Sequence, residues 1–536
     1  MKKLRWLPLV LALCTGQHGT GQSPFPNTVF YQIYTRAFYD SNGDGLGDFN
    51  GITEKLDYIE DLGAGALWIM PMFKSNTPHK YFSTDHMLVD PEYGTNDDLK
   101  NLVVEAHKRN IKVLIDFSIN HVNTDNAWFL DALEQGKNSP YYDYFHWADE
   151  LEDFNPETYT KDGVFDSAYT KNYIQVPKKS IAGVNFYYAR FMDAPDLNFD
   201  HPKVRDYFME VGRYWVGEVG IDGLRLDAAR HIYDIESAQA TDSTKRNFTW
   251  WKHFCEEMHR INPKVFLLGE IWSTTESAAS YLQTGMDATF NFSFAETMLN
   301  CLLNSKNEGL AEEYLTQTKV RRKNASTFGD ATFLINHDSK RLLNTLEHDT
   351  KKVRQAVSLL MTFPGSPFIY YGEELGFEAD WPLLWLPMLW DEWGKDTGQT
   401  SWILGDSTSM NDILTTQYDR KAIAHFRPLA VQKKDHSSWY HFYRSLIQVR
   451  KSSKALTSGE LRKSMLSSPQ VVSFIRKLGK ESVLAIHNIS SSESIAIPIP
   501  KKYRKYKDIM AAVNEASVAP DKFVLPPNAS LVLGKN

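Results

Sequence analysis

The segment Gly220-Ile-Asp-Gly-Leu-Arg-Leu-Asp-Ala-Ala-Arg-His231 reads as containing a short strand, Gly223–Ala228. The run is brief and its large apolar residues are leucines, too few for a helix. Such runs suit a strand covered on both faces, as in a parallel sheet. The two-residue period of a strand places Arg225 and Asp227 on the same face, and the run ends in the Asp227 carboxylate. A guanidinium beside Asp227 would hold that carboxylate in its ionised form.

The same kind of run recurs on both sides of this one. Candidate strands are Val29–Phe38, Ala66–Pro71, Lys112–Ser118, Gly223–Ala228, Val265–Ile271, Ala288–Phe292, Ala331–Asp338 and Pro367–Glu374. Helical periodicity fills most of the gaps, for example at Ile52–Leu62, Asn96–Arg109, Val204–Val219 and Asn247–Ile261. Repeated strand–helix units of this kind predict an α/β fold, a (β/α)8 TIM barrel, with its working residues at the C-terminal ends of the strands. Two features break the rhythm. Between the third and fourth strands lie roughly a hundred residues, where a plain crossover needs only about a dozen. The part rich in Tyr, Asp, Asn and Lys predicts an inserted subdomain. After the helix Trp439–Lys451, short alternating strands such as Val471–Arg476 and Ser482–Asn488 predict a C-terminal all-β domain. The expected division is 1–22 signal peptide, 23–122 barrel, 123–190 inserted subdomain, 191–453 barrel resumed and 454–536 C-terminal β-sandwich.

Lys2, Lys3 and Arg5 followed by the apolar run Trp6–Leu13 carry the pattern of a bacterial export signal, so a secreted, periplasmic or surface-anchored protein is expected. The run is far too short to span a bilayer, and no later segment offers a transmembrane stretch. Cys14 follows it directly, as a lipid-anchored cysteine would. Leu13 stands where such a signal wants a small residue, which weighs against the anchor. Cys255 and Cys301 are the other cysteines; the fold cannot depend on a disulfide framework, and two buried thiols are expected. A net charge of −7 with no long basic run argues against a nucleic-acid partner. A monomer is expected.

Four predicted strands finish in acids: Asp116 with Asn120 and His121 at the third, Asp227 at the fourth, Glu270 at the fifth, and Asn336, His337 and Asp338 at the seventh. Taken singly, each reads equally well as a cap or an arginine partner. Taken together in barrel order, they suit cleavage of a glycosidic bond. That chemistry needs an acid for the leaving oxygen and, in retaining enzymes, a second carboxylate about 5–5.5 Å away to attack the anomeric carbon. Glu270, in the apolar setting FLLGEI, is placed to keep a proton for the leaving group.

At these residues the chain resembles glycoside hydrolase family 13, the α-amylase family, over roughly residues 27–490. DFSINH (Asp116–His121), GIDGLRLDAARH (Gly220–His231), LLGEIW (Leu267–Trp272) and FLINHD (Phe333–Asp338) are similar to its four signature blocks, in order. APDLNF (Ala194–Phe199) resembles the block of members between the oligo-1,6-glucosidase and neopullulanase groups. The resemblance implies Asp227 as nucleophile, Glu270 as acid/base and Asp338 as stabiliser of the distorted sugar. It further implies Asp116, His121, Arg225 and His337 around that sugar, Tyr81 as its stacking platform, and Arg230 and His231 at a more distant subsite. The substrate would be an α-glucan or maltooligosaccharide.

The run Asp40-Ser-Asn-Gly-Asp-Gly-Leu-Gly-Asp48 alternates oxygen side chains with glycines, which suits a hard cation such as Ca²⁺. It is not an EF-hand loop, since Gly51 stands where the bidentate Glu would be. The resemblance implies Asp40, Asn42, Asp44, Asp48 and the Leu46 carbonyl as calcium ligands, with Asn120 at a second family site. Two departures bear on substrate. In exo-acting relatives an Asp three residues before the platform Tyr and an Arg two before the PMxW run grip the substrate's non-reducing end; here those places hold Pro78 and Trp385. Lys80-Tyr81-Phe82 also replaces a common Gly-Tyr-Asp. Internal cleavage of α-1,4 chains by an α-amylase is therefore expected. The alternatives are an exo-acting α-glucosidase or oligo-1,6-glucosidase, a trehalose synthase, or an inactive glucan-binding protein.

Overall fold

The computed structural model describes residues 25–148, 173–175, 186–233, 243–380, 384–392, 395–402 and 425–535. The export signal with Cys14 and half of the expected inserted subdomain, residues 149–172 and 176–185, therefore lie outside the described residues.

Eight strands form a closed parallel ring: β1 (Phe30–Ile33), β2 (Ala66–Ile69), β3 (Lys112–Phe117), β4 (Gly223–Leu226), β5 (Phe266–Gly269), β6 (Ala288–Phe290), β7 (Gly329–Thr332) and β8 (Ser366–Tyr370). Each pairs with its neighbours in sequence, and β8 closes the ring on β1. The ring is filled by alternate strand residues, among them Phe30, Trp68, Leu114, Phe266, Leu268, Phe290 and Phe368. Phe30 stacks on Phe368 with ring centroids 4.3 Å apart. The other faces of the strands join a much larger apolar layer beneath the helices, as expected of strands buried on both sides.

Register carries the site. Asp116 on β3 pairs with Arg225 on β4, and Arg225 pairs with Leu268 on β5, two residues before Glu270. Three of the four signature segments thus end side by side.

Three strands depart most from the sequence expectation; β8, expected at Pro367–Glu374, ends at Tyr370, and Glu373–Leu375 forms a 3₁₀ turn. β1 stops at Ile33, and Thr35–Ala37 forms a 3₁₀ turn. β7 is Gly329–Thr332, not Ala331–Asp338, so Asn336, His337 and Asp338 sit on the loop beyond it. Its polar member explains the error. Asp330 is buried, receiving Tyr314 Oη at 2.8 Å and Asn291 Nδ2 at 3.1 Å, and a satisfied interior carboxylate looks like a loop residue in sequence. The helix expected at Val204–Val219 is an α-helix at Pro202–Arg213 running into a π turn at Tyr214–Val219.

The C-terminal part is all β. A five-stranded antiparallel sheet runs in the order β9 (Glu460–Lys463), β10 (Val471–Leu478), β11 (Glu481–Asn488), β13 (Ser530–Lys535), β12 (Tyr506–Val513). A three-stranded sheet of Ile495–Pro498, Lys522–Leu525 and Ser517–Val518 accompanies it. Two buried arginines meet at the C-terminus of the helix Thr350–Thr362, Arg450 from the barrel helix Trp439–Ser452 and Arg476 from the C-terminal sheet. Arg450 donates to the carbonyls of Met361 at 2.6 Å, Phe363 at 2.9 Å and Gly365. Arg476 on β10 donates to Thr362 O at 2.7 Å and Gly459 O at 2.9 Å. A helix C-terminus leaves carbonyls without partners and favours cations. Cys255 and Cys301 are free, buried thiols.

Candidate active site

Arg225 is the hub. It is 1% exposed and faces carboxylates on three successive strands. Its Nη1 lies 2.8 Å from Asp116 Oδ1 and also contacts Asp227 Oδ1, while its Nη2 lies 2.5 Å from Glu270 Oε1. A planar fork of donors is the side chain suited to this. One cation cannot balance three carboxylates, so protons are retained. Burial pushes Glu270 well above the usual carboxylate range, to about 8; Arg225 opposes the shift, while Asp227 and Asp338 add to it. Burial raises Asp116 too, against the pull of Arg225.

Asp227 stands just past β4. Its second oxygen accepts from Ser118 Oγ at 3.1 Å. The chain then turns sharply: Ala228 adopts a left-handed conformation at φ 46°, rare for a residue with a Cβ. The turn aims Ala228 N–H at Glu270 Oε2, 2.9 Å away. One strained residue therefore links the Asp227 and Glu270 strand ends.

A second chain of contacts crosses the mouth. Gln32 Nε2 on β1 donates to His337 Nδ1 at 2.8 Å, so the neutral ring carries its proton on Nε2. Burial, aided by the nearby Arg225, pushes His337 down to about 3 and keeps it neutral. Nε2 meets Tyr81 Oη at 2.5 Å, and the two rings stack 5.6 Å apart at 12°. Tyr81 Oη in turn donates to Asp116 Oδ2 at 3.4 Å, beside Trp68 Nε1 at 3.2 Å. Asp338, 40% exposed, lies 3.3 Å from His337 Nε2, and its N–H donates to Asn336 Oδ1 at 3.0 Å. His121 is buried with Nδ1 3.1 Å from Asn120 Oδ1, its ring between those of Phe82 and Phe191 at 5.1 and 5.4 Å.

The structure thus brings together Tyr81, Asp116, Arg225, Asp227, Glu270, His337 and Asp338, and it sets His121 beside them. Arg230 and His231 lie on the 3₁₀ turn Ala229–His231 after β4, with Arg230 Nη1 3.3 Å from Trp272 O. Sequence reading missed Gln32, Trp68 and Ser118. All three stand on or just beyond barrel strands, and the two-residue period that singled out Arg225 would have flagged the polar tips of Gln32 and Trp68.

Asn120 donates to His231 O at 2.6 Å while its Oδ1 faces His121, so both ends of its amide meet protein groups. In the Asp40–Asp48 loop, Asp40 accepts from the N–H groups of Asn42, Gly43 and Gly45 at 3.1, 2.6 and 2.8 Å. Asn42 and Asp44 each accept from the N–H two residues on, at 2.9 and 2.8 Å. These bonds draw the loop tight. Carboxylate and amide oxygens have lone pairs beyond those used here, so the donor chemistry fits a hard cation. Among the described residues, no cluster of three or more His, Cys, Asp or Glu groups converges as a metal cage.

Residues 32–459 match the family model described as alpha amylase, catalytic domain, and residues 471–532 match that of the alpha-amylase SusG C-terminal domain. Alpha-amylase 3 of Dictyoglomus thermophilum is 32% identical over 535 residues, spanning 99% of this chain and 98% of its own length. The trehalose synthase/amylase TreS of Mycolicibacterium smegmatis is 28% identical, over 87% of this chain and 84% of its own. Among solved structures, an alpha-amylase from H. orenii is similar with a TM-score of 0.78 and 32% identity, covering 95% of this chain and 99% of that one.

Proposed function

Because the chain belongs to the α-amylase family, glycoside hydrolase family 13, we propose that it is an endo-acting, retaining α-amylase that cleaves internal α-1,4-glucosidic bonds. Asp227 attacks the anomeric carbon as the bond to the leaving oxygen breaks, and Glu270 gives that oxygen its proton. Glu270, now ionised, takes a proton from water; the hydroxide attacks the same carbon and releases Asp227. Arg225 lies against Asp227, and Asp338 holds hydroxyls of the distorted sugar. Tyr81 supplies a flat face for that ring, and neutral His337 is oriented by Gln32.

The observation that carries endo action is Trp385. It stands where the exo-acting branch places an Arg, and its indole N–H donates to His337 O at 3.1 Å, with Tyr34 and His79 rings 5.5 and 6.3 Å away. At the other position, Pro78 offers only a carbonyl, which accepts from Tyr34 Oη at 2.8 Å. Neither can grip a non-reducing end with charge. Product time courses from maltoheptaose with and without a blocked non-reducing end test this. Mid-length products from both sugars are expected; glucose from the unblocked sugar alone would establish exo action, and trehalose from maltose a synthase.

Asp40, Asn42, Asp44 and Asp48, with the Leu46 carbonyl, are the residues that would hold Ca²⁺, which would stiffen a loop joined to the rest of the barrel mouth through Ser401 N and Gly45 O at 2.9 Å. The basic–apolar amino terminus supports export.

A further inference from the structure

The residue preceding the platform Tyr81 combines two unusual properties. Lys80 lies in the left-handed region at φ 60°, where a side chain with a Cβ persists only when its surroundings hold it. It is also 2% exposed, although lysine almost always reaches water unless paired. Its ammonium lies 3.0 Å from Asp90 Oδ2, 2.7 Å from Glu92 Oε2 and 3.2 Å from Ser75 O. Asp90 is buried as well and accepts from Ser75 N at 2.8 Å; Glu92 is shared with Arg36 at 2.6 Å.

These contacts span one hairpin. Ser75 follows its first strand, Phe73–Lys74, and Asp90 follows its second, Asp85–Val89. The Lys80 side chain ties the intervening loop to both ends. Glycine alone would meet the backbone requirement without strain, and nothing in loop formation calls for a buried ion pair. The next residue, Tyr81, gives its N–H to His79 Nδ1 at 3.1 Å and its hydroxyl to the His337–Asp116 chain.

We infer that Lys80 is a positioning residue: its buried tether to Asp90 and Glu92 holds the strained turn that sets the Tyr81 ring at the catalytic sugar. The inference rests on Tyr81 being that sugar's platform. Misplacing a group that acts in the transition state costs turnover more than binding, on the order of 10- to 100-fold for shifts near 1 Å.

The test is steady-state kinetics on maltoheptaose, with melting temperatures, for Lys80→Met, Lys80→Gly, Lys80→Arg, Glu92→Gln and Tyr81→Ala. Lys80→Met and Lys80→Gly are expected to lower kcat about 10-fold or more with a smaller change in KM, and Lys80→Arg to recover most of it. A Lys80→Gly enzyme with kcat within about twofold of the parent, whatever its melting temperature, overturns the inference. Should the Lys80 variants not fold, Glu92→Gln, which loosens only the partly exposed arm, must still lower kcat; unchanged kcat overturns the tether. If Tyr81→Ala itself leaves kcat unaltered, the platform reading fails instead, and the two failures are told apart.

Discussion

Arg225 Nη2 and Glu270 Oε1 meet at 2.5 Å across the adjoining strands β4 and β5. The proposed acid, Glu270, is thus in contact with a permanent cation, which alone would strip its proton away. Burial and the neighbouring Asp227 and Asp338 outweigh it. Arg225 also contacts Asp227, so one guanidinium touches both the proposed acid and the proposed nucleophile.

Arg225→Lys replaces a fork by a point charge that cannot reach Asp116, Asp227 and Glu270 together. A loss of about 100-fold or more in kcat/KM is expected, measured on maltoheptaose with a circular dichroism check of the fold. Near-normal turnover would contradict the hub.

Asp227→Ala and Glu270→Gln should each lower kcat by on the order of 10⁴-fold or more. An aryl maltoside with a good leaving group should restore much of the first-step rate to Glu270→Gln and none to Asp227→Ala, because only the former's missing proton becomes dispensable. Equal rescue of both would dissolve the assignment.

In the proposed mechanism the acid form of Glu270 is the active one in bond cleavage, so kcat/KM should fall as pH rises through about 8. Removing the Asp338 charge, which helps raise Glu270, should move that limb to lower pH in the residual activity of Asp338→Asn. A limb that stays in place argues against Glu270 as its origin.

The same shift has a stability consequence. Unfolded, Glu270 titrates near its ordinary 4.5; folded, near 8. Between these values the folded chain holds the extra proton, so stability declines as pH rises through the window. Glu270→Gln removes the decline. Its melting temperature should exceed the parent's at pH 8, with the gap closing towards pH 4; a pH-independent gap would show that Glu270 is not the titrating group.

Thorough chelation should lower the melting temperature, and added Ca²⁺ should restore it, if the ion binds only the folded loop. Asp44→Ala should abolish the response. An unchanged melting temperature on chelation would count against the Asp40–Asp48 site.

The barrel was legible because its strands are brief apolar runs, and Arg225 and Asp227 were legible because a strand alternates faces. The strand ends were less so: Asp330 hides β7 by being polar and buried, which displaces the apparent strand onto the Asn336–Asp338 loop. Contacts between distant elements leave no local trace. Gln32 and His337 touch only because β1 and the loop after β7 share a mouth, and nothing in either segment announces the other. Lys80 was visible as a departure from Gly-Tyr-Asp; its strain and its partners were not.

A ring of strands has a seam where the last meets the first, and here the seam is β8 against β1. Arg450 and Arg476 gather around the turn that delivers β8, Arg476 reaching in from β10 to Thr362, and earlier on the preceding helix Gln355 reaches out to Ala529 O at 3.3 Å. The C-terminal sheets are therefore the buckle of the hoop, not a tassel hung from it. A chain cut short before β10 would strand the Thr362 carbonyl at that turn, and the closure of the barrel would loosen at the point farthest in sequence from where it began.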